Sequence, residues 1–517
     1  MATVALPFAA PAPANGAKPL LITGVVMLAS FITVLDSTIA NVALPHMQAS
    51  LGAASDTVTW VLTSYIVAAA IATPLTAWLG GKVGRKRLFI AAIAGFVGAS
   101  MLCGLAQSLD QMVFFRLLQG ASGAFLIPLG QSFVLDAWPK EKHGQAMALW
   151  GVGIMVGPVM GPVLGGWLTD NFEWRWVFFV NLPFGILALL GALAILPNTD
   201  VMRRRFDAFG FVALSIGIGA LQLMLDRGQQ LDWFASWEVR IEAAVCAMGL
   251  WVFGVHTLTA RDSILPAGLL RDRNLMAGFV FIFLIGMLQV ATSALLPPML
   301  EQLYGYPVVT AGLTMAPRGV GTMAGMLLVG RLIGRIDPRV LMVTGMALIA
   351  GTMWWMTGFS PSMGSGPFLT TGFIQGFGVG LLFVPLNTLA FATVPPALRT
   401  DASSFYSLLR NLGGSVGVSL SVGILARQMQ VAHADIGSAV SPFTVSGADP
   451  NIARALGATG DTLLALLDAT VNGQAAMIAY LDDFSLMMWL SIATIPLILL
   501  LKSPKEVVID PEHSAME

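Results

Sequence analysis

Charged residues lie in apolar segments, where charge is expensive. Asp36 falls inside FITVLDSTIANVALP, nine residues before Pro45, which is about 13 Å from the outer end of a helix rising 1.5 Å per residue. A carboxylate at that depth of a bilayer costs roughly 2.5 to 3.5 kcal/mol on insertion scales, so it is a functional candidate by default. At about 100° per residue, Thr33, Asp36, Ser37 and Asn41 share one sector of the helix, a polar face suited to a cavity. In RLLQGASGA, Arg116, Gln119, Gly120 and Gly123 recur at i, i+3, i+4 and i+7, so guanidinium, amide and two close-approach glycines share one face. Arg116 lies roughly 10 Å below the outer end of its own helix, a depth close to that of Asp36. The chemistry this pairing offers is proton exchange: burial favours the neutral acid, and an approaching guanidinium favours the carboxylate and expels the proton. A rocking motion that changes their separation would couple protonation to conformation, and each proton entering down 100 mV releases about 2.3 kcal/mol. The competing reading is a permanent structural ion pair, with Arg116 tied to backbone carbonyls.

Further residues stand ready to support such chemistry. GVGIMVGPVMGPVLGG spaces Gly153, Gly157, Gly161 and Gly165 four apart, with Pro158 and Pro162 in the same register and Gly166 closing the run. Small residues at that spacing permit close helix contact and prolines bend the rod, which suggests a helix at the moving interface between two bundles. The turn GGKVGRKR, with Lys82, Gly84 and Arg85, is expected to anchor topology and to gate. Gln131, Gln375 and Asn387 are polar side chains within apolar segments and are candidate substrate-cavity residues, beside Thr33, Ser37, Asn41 and Gln119. Arg318 and Arg410, also inside apolar segments, should be paired or face the cavity. Cys103 and Cys246 show no metal or redox spacing and are read as small buried hydrophobes. No metal site, cofactor or covalent catalysis is expected. A nucleotide-binding GxxxxGK[ST] string is absent, so the energy source implied is the proton gradient.

The elements that must hold these residues are membrane helices. The chain is 56% hydrophobic and 11% charged, with mean hydropathy +0.79, against roughly 45 to 50% and about 25% in soluble domains. A net charge of -1 offers no basic footprint for nucleic acid. A bilayer core of roughly 30 Å needs about 20 apolar residues per crossing, and fourteen runs qualify. With the N-terminus inside, nineteen of the 27 Lys and Arg residues fall in inner segments and five in outer ones, which places both termini in the cytoplasm. RLLQGASGAFLIPL in the fourth run is echoed by FIQGFGVGLLFVPL in the twelfth, and GGKVGRKR by GRLIGRIDPR. The expected organisation is an all-α membrane protein with a disordered tail over 1–18, a six-helix bundle over 19–200, two inserted helices over 201–262, a second six-helix bundle over 263–503, and a tail over 504–517. Residues 427–483 read as a long outer loop, with an amphipathic surface helix from Asp461 to Phe484 that could instead dock a second protein. Two such halves with a site at their interface are the plan of alternating-access transporters.

These strings resemble the major facilitator superfamily, in particular its fourteen-span drug:proton antiporters of the EmrB/QacA type. LDSTIANVALP resembles the first-span motif, RLLQGASGA the fourth-span motif associated with proton transfer, and GPVMGPVLGG the antiporter motif, while WRWVFFVNLPFG and LDRGQQLDWF point to the EmrB-like branch. The resemblance implies proton coupling at Asp36 and Arg116, and an antiporter-helix role for Gly157, Pro158, Gly161, Pro162, Gly165 and Gly166. It implies proton-coupled efflux of hydrophobic or amphipathic drugs from a bacterial inner membrane, and, by analogy with relatives in two-membrane bacteria, work with a periplasmic adaptor and an outer-membrane channel. Gly81 stands where the superfamily's loop motif usually has an aspartate, leaving the loop's charge latch without that acid. An uptake symporter or dedicated metabolite exporter of the same fold, and a membrane receptor or scaffold, are the competing readings.

Overall fold

The computed structural model describes residues 19–54, 57–199, 201, 205–260, 262–439 and 461–501; the tails expected at 1–18 and 504–517, and residues 440–460 of the long connection, lie outside them. In a bilayer every backbone polar group must be satisfied within the chain, and a helix does this locally. Fourteen helical passages run through the described residues: α1 (Pro19–Leu51), α2 (Trp60–Ala72, bent by 60° into Leu75–Val83), α3 (Arg85–Leu105), α4 (Leu109–Gly123, continuing as Leu126–Ala137), α5 (His143–Asn171), α6 (Trp176–Phe179 and Asn181–Ile195), α7 (Ala208–Arg227), α8 (Trp237–Thr259), α9 (Arg273–Pro298, ending in π-helical Met299–Leu303), α10 (Val308–Leu332), α11 (Pro338–Met356), α12 (Gly366–Ala390), α13 (Arg399–Ala439) and α14 (Asp461–Thr494, closing in Ile495–Leu500). Twelve have the length and apolar content of a span and bent α2 makes a thirteenth. The remaining passage, α10, is diluted by Arg318 and its glycines but is 25 residues long and packs between α5 and α12. Several helix starts are capped by the residue the sequence supplies: Ser108 accepts from the Gln111 N–H, Asp207 from Gly210 and Asp272 from Leu275.

The two halves repeat each other's packing. Helix α1 lies on α5 as α9 lies on α13, α2 on α4 as α10 on α12, and α3 on α4 and α6 as α11 on α12 and α14. Glycines fix the register: a Cβ on Gly120 would strike the Tyr65 carbonyl oxygen, and one on Gly376 the Arg318 carbonyl oxygen. Tyr65 and Arg318 are therefore counterparts. The inserted pair α7–α8 packs on itself, and α7 spans the seam between halves: Thr63 Oγ1 on α2 donates to Asp226 Oδ2 at 2.7 Å, and Ser419 Oγ on α13 donates to the Leu225 carbonyl at 2.8 Å.

The loop expected at 427–483 is corrected. Its described parts are helical: α13 continues to Ala439 and α14 begins at Asp461. No proline interrupts either stretch, and α13 at 41 residues is about 60 Å long, twice the bilayer core. The two extensions pair, burying Ala432, Val471 and Ala475, and His433 Nε2 lies 3.6 Å from Asp468 Oδ1. The surface helix expected over Asp461 to Phe484 is instead the first part of α14. That helix has an apolar face with a partner helix to cover it, so it has no need to lie on the membrane.

Candidate functional site

Five helices of the first half converge on Asp36, which has no exposed surface. Its Oδ2 accepts from Arg116 Nη1 at 2.6 Å, and its Oδ1 accepts from Gln119 Nε2 at 2.8 Å and Asn181 Nδ2 at 2.9 Å. Arg116, equally buried, donates through Nε to the Val61 carbonyl at 3.0 Å and through Nη1 to Gln119 Oε1 at 3.0 Å. Its guanidinium sits 4.6 Å from the Tyr65 ring centroid and 5.5 Å from that of Phe178. Asn181 also donates to Ser100 Oγ at 3.0 Å, and Ser100 in turn to the Phe178 carbonyl at 2.9 Å. Gly120 is what lets α4 approach the α2 backbone closely enough for Arg116 to reach Val61. Charge-assisted bonds of this kind are about twice as strong as neutral ones, and they fill both carboxylate oxygens of a side chain with no exposed surface.

Sequence spacing brings Asp36, Arg116 and Gln119 together correctly, but the expectation that bundle rocking changes the distance between Asp36 and Arg116 is corrected. Both belong to the same half, held by α1, α2, α3, α4 and α6, so a rigid rotation of one half against the other leaves the pair intact. The glycine ladder is corrected likewise. Gly157, Gly161 and Gly165 face α1 at Val34, Leu35, Thr38 and Ile39, inside the first half and around Asp36. It is Pro162, Gly166 and Val159 on another side of α5 that meet Gly312, Val309 and Gly319 of α10 across the interface. Helix α5 thus touches the helix of Asp36 and the helix of Arg318 at once.

A second cluster closes the two halves at the end carrying the basic turns. Asp136 Oδ2 accepts from Arg85 Nη1 at 2.6 Å, and its Oδ1 accepts from Arg399 Nη1 of α13 at 2.7 Å. Ser132 Oγ lies 3.0 Å from Thr400 Oγ1, Gln131 Nε2 donates to Asn387 Oδ1 at 2.8 Å, and Ser403 Oγ donates to Gln131 Oε1 at 2.8 Å. Gln131 and Asn387, expected in a substrate cavity, are therefore buried in the contact between halves. Asp136 supplies the acid that Gly81 does not. Gly84, at φ +97°, makes the turn that brings Arg85 onto Asp136, with the Arg85 N–H donating to Thr199 Oγ1 at 2.8 Å; Lys82 stacks on Trp78 at 4.8 Å instead.

The remaining candidates divide. The Thr33 and Ser37 hydroxyls bond back to the carbonyls of Ala29 and Val34, and Asn41 is exposed near the outer end of α1. Gln375 is buried and, with Arg318, walls two adjoining narrow clefts in the second half. Pro158 keeps its place among the ladder glycines on α5. Three functional side chains were not singled out by sequence spacing. Asn181 lies in WRWVFFVNLPFG, where a lone amide in an apolar run was the available signal. Asp136 ends an apolar helix, which reads as an ordinary boundary charge. Asp483, buried in α14 with neither carboxylate oxygen hydrogen-bonded, falls at the end of the stretch expected as an outer loop.

Comparison with known proteins extends this geometry. The family profile described as Major Facilitator Superfamily matches residues 26–418. The chain is 39% identical over 434 residues to the multidrug export protein EmrB of Escherichia coli K12, covering 83% of this chain and 85% of that one. It is 38% identical over 499 residues to the fatty acid resistance protein FarB of Neisseria gonorrhoeae, covering 95% and 98%. Among solved structures, the human organic anion transporter MFSD10 (TETRAN) shares the fold at TM-score 0.59 and 14% identity, over 92% of this chain and all of that one.

Proposed function

This chain belongs to the major facilitator superfamily, in its EmrB-like branch, and we propose that its transport cycle is driven by protons exchanged at Asp36. It is a multidrug efflux transporter and a multi-pass inner-membrane protein of bacterial type. The observation that carries the proton reading is the carboxyl group itself: an aspartate with no exposed surface, held by one arginine and two amides within a membrane helix. A side chain this costly to insert is kept where its charge changes during work.

The cycle follows from the contacts. With the basic turns in the cytoplasm, the closed cluster around Asp136 seals the cytoplasmic face, and this conformation keeps Asp36 buried against Arg116. Because Asp36 and Arg116 share a half, they separate through movement of α1 within that half, not through rocking alone. Helix α5 transmits it: sliding of α10 along Pro162 and Gly166 displaces the ladder glycines that grip α1 around Asp36. Protonation of Asp36 removes the charge that Arg116, Gln119 and Asn181 hold, loosens α1, and favours opening of the Asp136 cluster toward the cytoplasm. Drug then enters, the proton leaves inward, and the cluster closes again. The paired extensions of α13 and α14 project on the opposite, periplasmic face and receive the adaptor of a tripartite exporter.

In inverted vesicles carrying a preformed pH gradient, adding a substrate such as ethidium should dissipate the gradient with the parent chain and leave it intact with Asp36→Asn. Substrate movement that leaves the parent's gradient untouched would sink the proton reading. Trimming the α13–α14 extensions should abolish capture by a periplasmic adaptor while sparing vesicle transport.

A further inference from the structure

We infer that Arg318 is the anchor for the anionic head of an amphipathic acid, a carboxylate or phenolate on an apolar body, and that Gln375 orients it. The inference deepens the efflux reading above and rests on it.

The two halves share one packing register but not one charge balance. In the first half the arginine on α4 faces an aspartate on α1, so the buried charges cancel. In the second half, Gly413 and Gly417 of α13 grip Phe283 and Met287 of α9 as Gly157 and Gly161 grip the Val34–Leu35 and Thr38–Ile39 steps of α1, which puts an apolar residue, Leu284 or Ile285, where α1 has Asp36. The acid has no counterpart. A cation is present nonetheless, moved from the helix of Arg116 to the helix of Tyr65, at Arg318.

Arg318 has only neutral partners. Its Nη1 donates to Ser293 Oγ at 2.9 Å and its Nη2 to the Gln289 carbonyl at 3.1 Å, and no charged side chain acts on it. These two bonds fix the guanidinium without neutralising it. Arg410, half-buried on α13 beside Gly286, makes no hydrogen bond or ion pair among the described residues, and the buried acid of this half, Asp483 on α14, pairs with neither arginine. Arginine presents a planar fork that matches a carboxylate bidentately.

The surroundings are two narrow, mostly apolar clefts that in this conformation have room for little more than a water molecule each, so an amphiphile enters as the halves open. Arg318 and Gln375 wall both adjoining clefts; Leu288 and Met346 line one, Met356 and Phe368 the other. Methionine-rich apolar walls re-pack around varied shapes, which suits an exporter of many compounds. Arg318 sits ten residues into α10, about 15 Å from its end, below the level of phospholipid headgroups. The occupant is thus a free organic anion and not a lipid head. Since α10 also lies on α5, an anion drawn to Arg318 pulls on the helix that grips Asp36.

The test uses the full-length transporter in proteoliposomes with two probes, decanoate as the anion and ethidium as the cation, for the parent, Arg318→Gln and Arg318→Lys. Losing a hydrogen bond to a charged group should lower the decanoate-to-ethidium rate ratio by about tenfold or more in Arg318→Gln, and Arg318→Lys should restore part of it. A ratio unchanged in Arg318→Gln, or equal losses of both probes in folded protein, overturns the anion site while leaving proton-driven efflux standing. If the parent moves neither probe under a proton gradient, the efflux reading itself has failed.

Discussion

Arg116 and Arg318, one in each half, teach opposite lessons about what a membrane protein does with charge. Arg116 is balanced by Asp36 and two amides, fully enclosed, and surrounded by aromatic rings. Arg318, placed in the other half where the first half has Tyr65, leans on a hydroxyl and a carbonyl and walls narrow clefts. On the reading proposed above, the same fold unit, used twice, gives one charge pair that exchanges a proton and one cation that takes its partner from outside. Division of labour between halves lets the driving ion and the cargo occupy separate places while α5 touches both helices.

Several changes would break or sharpen that contrast. The largest effect is expected from Arg116→Ala, which strands Asp36: breaking a buried pair from one side costs about 3 to 5 kcal/mol, read as a fall in melting temperature in detergent. Arg318→Ala should cost far less stability, because no buried charge is orphaned; a loss equal to that of Arg116→Ala would erase the distinction drawn here. Next, Gly120→Ala should cost about 1 to 3 kcal/mol by pushing α4 off the Tyr65 backbone and withdrawing Arg116 from Val61. Asp136→Asn removes the acid shared by Arg85 and Arg399 at a site that is 20% exposed; about 1 kcal/mol should shift toward the cytoplasm-open state. Labelling of a cysteine placed at Ser403 should then quicken from the cytoplasmic side, and unchanged labelling would remove the cluster from the gate. Smallest of all, His433→Ala at the exposed contact with Asp468 should change stability by less than about 0.5 kcal/mol.

Much of this was legible in the sequence, and the failures have physical causes. Asp36, Arg116 and Gln119 could be found because a charge in an apolar helix is rare and helical periodicity says which neighbours share its face. The span order could be found because the bilayer dictates length. Partner identity could not, since hydrogen bonds to Asn181 and Val61 join helices distant in sequence. The expected change in distance between Asp36 and Arg116 failed because the internal repeat already put both residues in one half, a consequence of the echo between the fourth and twelfth spans that spacing arguments on single helices ignore. The outer loop failed because polar residues in a long connection read as coil, whereas two proline-free stretches that can pair with each other stay helical beyond the membrane.

The central claim is that Asp36 trades its proton against substrate. Purified transporter in weakly buffered detergent should release protons when ethidium is added, with the pH dependence of release set by one carboxyl group, and Asp36→Asn should bind ethidium without any release. Proton release by Asp36→Asn equal to that of the parent would contradict the account and assign the coupling to another acid, with Asp483 the first to examine.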